Sequence, residues 1–366
     1  MVTKTKCAIA VMALAALCGC VQNNQKTEGR MTTIDSALQV MVDSFITEEV
    51  ELVDGEEAQV AVMEVATGSI KALVGLQRQS NGTVQRVENF AHQQEPGSLA
   101  KVATLLAAME TGRIHLSDSV DTGEGIWPFD GKLIRDHNWF RGGYGILTYE
   151  QALEFSSNVA ICKALQEAFV MNVNKYLSML DAMSFGQPDS IEGIVGLKSP
   201  VYSSPKDSNW INSRFIYHAI GYERQMAPIQ TLTFYNAIAN DGKMVKPTLY
   251  SGETEIINEQ IASKKNIKEM QLALYHVVYQ GLGKRAMCDK TTVAGKTGTA
   301  VLYEPTDDDK NEKTLYNMSF CGYFPADKPR YSIIVSINKK GLPASGGGMA
   351  GPVFSNIVNY MCENKY

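Results

Sequence analysis

Three short polar strings carry the chemistry that this chain can do: Ser98-Leu99-Ala100-Lys101, Ser156-Ser157-Asn158 and Lys296-Thr297-Gly298-Thr299. A serine hydroxyl is a weak nucleophile until a neighbouring base takes its proton. Ser98 and Lys101 are three apart, which puts them on one face of a helix. The residues that follow (Leu99, Ala100, Val102, Ala103, Leu105, Leu106, Ala107, Ala108, Met109) are apolar nearly all round. Such a helix is buried, and Gly112 can close it. Burial disfavours the ammonium form of a lysine, and that makes Lys101 a base. The helix N-terminus adds unpaired N–H groups that stabilise an oxyanion. A second Ser-x-x-Lys, Ser203-Ser204-Pro205-Lys206, has a proline inside the pair and no apolar helix after it. That context assigns the nucleophile to Ser98.

Ser156-Ser157-Asn158 lies between two helical stretches, the first opened by a capping-box pair, Thr148 and Gln151. Asn158 reads as an N-cap of the second stretch, as an amide that holds a substrate carbonyl, or as both. Ser156 is a loop hydroxyl able to pass protons between Lys101 and a leaving amine. Another Ser-x-Asn, Ser336-Ile337-Asn338, ends a strand and shows how common the pattern is. The chain has one Lys-Thr-Gly, within Val293 to Tyr303, with glycines on both sides of the Lys-Thr pair. Missing side chains there let another backbone approach, as when a peptide adds to a sheet edge. Lys296 and the hydroxyls of Thr297 and Thr299 suit a peptide's terminal carboxylate.

The elements that must position these groups follow from periodicity. Ile34, Leu38, Met41, Val42 and Phe45 predict a helix from Thr33, with Thr33 as its cap. Val60 to Val65 and Ile70 to Val74 flank a turn at Ala66-Thr67-Gly68-Ser69 and predict a β-hairpin. From about 97 to 285 the pattern is mostly helical. Strand-like runs return at Thr292 to Tyr303, Tyr316 to Phe324 and Tyr331 to Ile337. A last helix is expected from about Pro352 to Met361, after a turn at Gly346-Gly347-Gly348. Strands at both ends with helices between imply an α+β fold: one sheet formed by both ends of the chain, with a helical lobe beside it. The acidic run Asp307 to Glu312 reads as a solvated loop.

Lys4 and Lys6 precede an apolar run, Ala8 to Leu17, of signal-peptide length and too short to span a bilayer. Residues 1–19 therefore read as a signal, 20–32 as a polar tether, and 33–366 as the folded domain. Leu17-Cys18-Gly19-Cys20 resembles the lipobox of bacterial lipoproteins, with Cys20 as the lipidated residue and a membrane anchor as the consequence. The formal net charge of −5 leaves no basic patch for nucleic acid. The remaining cysteines, Cys162, Cys288, Cys321 and Cys362, have neither zinc-site nor disulfide-framework spacing.

With these strings in place, the chain resembles the transpeptidase domain of class B penicillin-binding proteins over residues from about 33 to 362. Further strings carry the likeness: Met63-Glu64-Val65-Ala66-Thr67-Gly68, Glu95-Pro96-Gly97-Ser98, Val120-Asp121-Thr122-Gly123, Ala219-Ile220-Gly221-Tyr222, Met226-Ala227-Pro228-Ile229-Gln230, Ala237 to Lys243 and Ser319 to Asp327. The resemblance implies a five-stranded, mainly antiparallel sheet flanked by helices, with an inserted all-helical lobe and the site between. It implies Ser98 as acylated nucleophile, Lys101 as base and Ser156 as proton relay. Asn158 would orient substrate, and Lys296, Thr297 and Thr299 would bind its carboxylate. Backbone N–H groups of Ser98 and Thr299 would form the oxyanion hole. The implied activity is D,D-transpeptidation of peptidoglycan stem peptides, with β-lactams as covalent inhibitors, no metal or cofactor, and a periplasm-facing, lipid-anchored location. Family members also work with a cell-wall polymerase partner, which becomes a candidate partner here. The rival readings are a D,D-carboxypeptidase, a β-lactamase, and a non-catalytic β-lactam or peptidoglycan sensor. The sequence departs from the family in Ala100, where a bulky aromatic is common. It also departs in the short segment before the first strand, where the family has a membrane helix and a pedestal domain.

Overall fold

The computed structural model describes residues 29–304 and 314–366. The signal, Cys20 and the acidic run Asp307 to Glu312 lie outside the described residues. The first helix, α1 (Ser36–Leu52), begins three residues later than the periodicity predicts. Asp35 caps it rather than Thr33: the Asp35 side chain accepts from Leu38 N at 2.9 Å. The Thr33 hydroxyl instead donates to Ile70 O and Thr248 O, which holds the entering chain on the domain. Thr32 also bridges to Tyr250, so the end of the polar segment is engaged too.

The expected hairpin forms from β1 (Gly55–Glu64) and β2 (Ile70–Arg78). β3 (Val84–Arg86) pairs onto β2 after a turn. Late in the chain come β4 (Ala294–Tyr303), β5 (Leu315–Phe324) and β6 (Tyr331–Lys340). The sheet order is β4-β5-β6-β1-β2-β3, with every pairing antiparallel. The two chain ends thus meet at β6 and β1. The class is α+β as expected, with one strand more than the expected five, because the three-residue β3 extends the far edge.

Both sheet faces are buried, which is why β1 reads as a continuous apolar run rather than an alternation. Val60 and Val62 point towards α1 and the last helix, α9 (Gly346–Glu363), while Ala61 and Met63 join the core of the lobe. The lobe comprises α2 (Ala100–Glu110), α3 (Tyr149–Glu154), α4 (Asn158–Phe169), α5 (Val173–Ala182), α6 (Asn212–His218), α7 (Pro228–Ala239) and α8 (Lys264–Tyr279). It is not all-helical. Two-stranded ribbons pair Ser119–Asp121 with Ile146–Thr148, and Ile126–Phe129 with Lys132–Arg135. These strands are three or four residues long and half exposed, too short for periodicity to mark.

The last helix starts six residues before Pro352, so the three glycines form its first turn rather than a loop before it. Ser345 caps it through Gly348 N. A proline inside a helix frees the carbonyl four residues back. That carbonyl, Gly348 O, accepts from Arg285 Nη1 at 3.3 Å. No helix of the described residues is long and apolar enough to cross a membrane.

Candidate active site

Ser98 sits in a 3-10 turn, Gly97–Leu99, which runs straight into α2. The turn is wedged between the lobe and β4. Gly97 has φ +53°, and a β-carbon on it would stand 2.7 Å from Ala300 Cβ of β4. Tyr235 Oη donates to Leu99 O at 2.9 Å and ties the turn to α7. On the other side, a β-carbon at Gly298 would lie 2.2 Å from Ser319 Oγ and 3.1 Å from Leu99 Cγ. The glycine of the Lys-Thr-Gly string therefore lets its strand lie against the serine turn. β4 is the edge of the sheet, so its outer side has no strand partner among the described residues.

α2 is buried on all sides as its composition predicts, and Lys101 within it is 0 % exposed. Its Nζ donates to Ser156 O at 2.6 Å and to Ser156 Oγ at 3.1 Å. The amine thus rests on Ser156 and not on Ser98, whose hydroxyl has no hydrogen-bond partner among the described residues. Burial pulls the pKa of Lys101 from 10.5 down to about 8, against the opposing pull of the Asp136 carboxylate. Lys296 is likewise 0 % exposed. Its Nζ reaches Ser156 Oγ at 3.0 Å, Thr297 O at 2.9 Å and Thr297 Oγ1 at 3.3 Å. Burial first, and then the charge of Lys101, hold Lys296 well below the ordinary lysine range.

Two amines therefore converge on one hydroxyl. With both of its lone pairs taken by lysine N–H groups, the Ser156 O–H is left to donate to a third partner. Ser156 holds φ 56°, a left-handed conformation that costs a serine about 1–3 kcal/mol and that clusters at functional sites.

The cap of α4 is Ser157, not Asn158: its side chain accepts from Ala160 N. Asn158 is the first helical residue, and its Nδ2 donates to Arg135 O at 2.7 Å. This removes the capping role and leaves a half-buried amide two residues after Ser156. Thr148 and Gln151 form the expected capping box. Thr299 is exposed, and its hydroxyl accepts from Gly346 N at 3.1 Å. Of the seven residues singled out from the three strings, Lys101, Ser156, Lys296 and Thr297 are joined by hydrogen bonds, while Ser98 lies one helical turn before Lys101, Asn158 two residues after Ser156, and Thr299 two residues after Thr297 on β4. The second Ser-x-x-Lys is elsewhere: Lys206 is exposed in a loop, and Ser203 Oγ pairs with His218 Nε2 at 3.2 Å.

Three residues of the site carried no sequence signal. Asp136, 1 % exposed, accepts from Ser157 Oγ at 3.0 and 2.9 Å and from Val159 N at 3.0 Å. It fixes the Ser-Ser-Asn turn and places a negative charge near Lys101. Burial, and then the charge of Lys101, lower the pKa of His137 beside it, against the Asp136 carboxylate. Tyr144 stacks on Phe155 and meets His137 Nε2 at 3.0 Å. These residues come from loops around the short ribbons, where a polar run such as Asp136-His137-Asn138 looks like any solvated turn.

Comparison with known proteins agrees with this geometry. The family model for the penicillin binding protein transpeptidase domain matches residues 58–359. Stage V sporulation protein D of Bacillus subtilis is 28 % identical over 277 residues, covering 72 % of this chain and 41 % of that protein. Peptidoglycan D,D-transpeptidase FtsI of Escherichia coli is 23 % identical over 345 residues, covering 92 % of this chain and 56 % of that protein. The chain spans about half the length of the curated relatives it matches. Among solved structures, the TP domain of Burkholderia pseudomallei penicillin-binding protein 3 superposes with a TM-score of 0.77 at 25 % identity. That match covers 93 % of this chain and 98 % of the other. A match across most of the chain, a shared fold and a serine turn set against a Lys-Thr-Gly edge strand lead to one conclusion: the chain belongs to the penicillin-binding protein transpeptidase family.

Proposed function

We propose that this protein is a serine-type peptidoglycan D,D-transpeptidase. The observation that carries the reading is the convergence of two buried lysines on Ser156, between the Ser98 turn and the Lys-Thr-Gly edge strand. The stem peptide adds along β4, with its terminal carboxylate on Lys296, Thr297 and Thr299. The Asn158 amide orients a substrate carbonyl. Lys101, one helical turn from Ser98, takes the hydroxyl proton as Ser98 Oγ attacks the D-Ala–D-Ala carbonyl. The oxyanion is met by the N–H groups of Ser98 and Thr299. Ser156 passes the proton to the departing D-Ala amine, and the C–N bond breaks. An amine from a neighbouring strand then attacks the acyl-enzyme, forms the cross-link and returns Ser98. β-Lactams enter the same route and stop at the acyl-enzyme.

Residues 1–19 act as a secretory signal, and lipid on Cys20 holds the enzyme on a membrane, facing the periplasm, through the tether 20–32. A cell-wall polymerase is the candidate partner. Mass spectrometry of the mature N-terminus tests the lipid: a free, unmodified start elsewhere overturns it.

The activity test is labelled penicillin on wild type and Ser98→Ala, followed by pentapeptide muropeptides with and without an amine acceptor. Labelling that depends on Ser98, together with cross-linked product, supports the reading. Equal labelling of a folded Ser98→Ala variant overturns it. Hydrolysed product alone assigns a carboxypeptidase, acylation without turnover assigns a sensor, and rapid release of hydrolysed penicillin assigns a β-lactamase.

A further inference from the structure

Outside the cleft, three metal-competent side chains meet on the far side of the Ser156 turn. Glu150 and Glu154 are four apart on α3, so they share one face of that helix. His276, in the last turn of α8, points at them. One ligand atom from each of the three lies within 4.8 Å of the other two. His276 Nδ1 and Glu150 Oε1 are 2.7 Å apart, so that pair is satisfied. Glu154 is not. It is 5 % exposed, its carboxylate has no hydrogen-bond or ion-pair partner among the described residues, and it is aimed at the other two. Two carboxylates facing one imidazole leave an excess of negative charge that a cation would offset. Glu150 and His276 are partly exposed, so an ion has a way in from solvent.

We propose that Glu150, Glu154 and His276 form a zinc site. Two carboxylates and one imidazole are a donor set that suits zinc, with a water as fourth ligand. Tetrahedral zinc holds its ligand atoms about 3.3 Å apart, so side-chain rotation alone can close the cluster around it.

The place in the fold gives the ion a structural task. Ser156 follows Glu154 by two residues, and Leu282 N, just beyond α8, donates to Glu154 O at 3.1 Å. α8 in turn packs on β4, the Lys-Thr-Gly strand. An ion at this point staples the segment that carries Ser156 to the helix behind Lys296. The site reads independently of the acyl-transfer chemistry, because its signature is metal content.

The test uses the full chain, stripped with chelator, dialysed and titrated with zinc chloride by calorimetry and thermal melting, with magnesium chloride in parallel. One zinc per chain, a raised melting temperature and no response to magnesium are expected. Glu154→Gln keeps the shape and removes the charge. In chelator it should melt at or above the wild type, and it should weaken zinc association at least about tenfold. Glu150→Gln, on the partly exposed side, repeats the comparison if Glu154→Gln does not fold by circular dichroism. A wild type that takes up no zinc overturns the site. So does zinc uptake unchanged in the charge-removing variant, which would place the ion elsewhere on the chain.

Discussion

The depressed pKa of Lys101 makes a quantitative prediction about rate. Its fall from 10.5 to about 8 raises the neutral fraction at pH 7 from roughly one in three thousand to about one in ten. If the neutral amine is the base that activates Ser98, the second-order rate of acylation follows that fraction. It should rise about tenfold per pH step between pH 5 and 7, bend near pH 8 and stay level above it. Labelled penicillin, quenched at short times and resolved by gel fluorescence, gives the rate across the range. Lys101→Ala should lose about 10²–10⁴ in rate and the pH dependence with it. A flat profile in the wild type would refute the reasoning, as would a folded Lys101→Ala variant that acylates at the wild-type rate. A bend near 10.5 would show that burial has not tuned this amine.

Further outcomes follow from the same geometry. Because the folded pKa of Lys101 lies below its unfolded value of 10.5, the folded state bears the cost of the ammonium at every pH below about 8. That cost is relieved as pH climbs from about 8 towards 10.5. Lys101→Met should therefore be inactive yet more stable at pH 7 by up to about 3 kcal/mol, seen as a melting temperature a few degrees higher. Asp136→Asn keeps an acceptor for Ser157 and Val159 but removes the charge that supports the Lys101 ammonium. Its acylation profile should move to lower pH, and denaturant titration should show a loss of about 1–3 kcal/mol. Gly298→Ala drives a methyl into Ser319 and Leu99. It should cost about 1–3 kcal/mol and slow acylation by moving β4 off the serine turn, both measurable on one preparation.

What could be read from sequence was whatever depends on near neighbours in the chain. The all-apolar run after Ser98 marked a buried helix with a lysine inside it, and the coordinates place both there. The hairpin and the three late strands were legible because β1, β2, β4, β5 and β6 are long and buried. Helix starts were less legible, because several candidate caps lie within three residues and tertiary contacts choose among them. Thr33 is drawn off to two backbone carbonyls, Ile70 O and Thr248 O, so Asp35 caps α1. Pro352 looked like a helix start because Arg285, which donates to the Gly348 carbonyl that the proline frees, lies 67 residues before Pro352 in sequence. Asp136, His137 and Tyr144 reach the site through ribbon pairing, for which strands of three or four residues leave no periodic trace.

The shared hold of Lys101 and Lys296 on one hydroxyl has a thermodynamic corollary. A cleft that keeps both amines reluctant to carry charge is a poor host for protons while empty, and a good one once an anion arrives. A docking carboxylate supplies the missing counter-ion and draws hydrogen ions from the buffer. The heat released on binding should then track the ionisation enthalpy of that buffer, and affinity for anionic peptides should weaken steadily in alkaline solution.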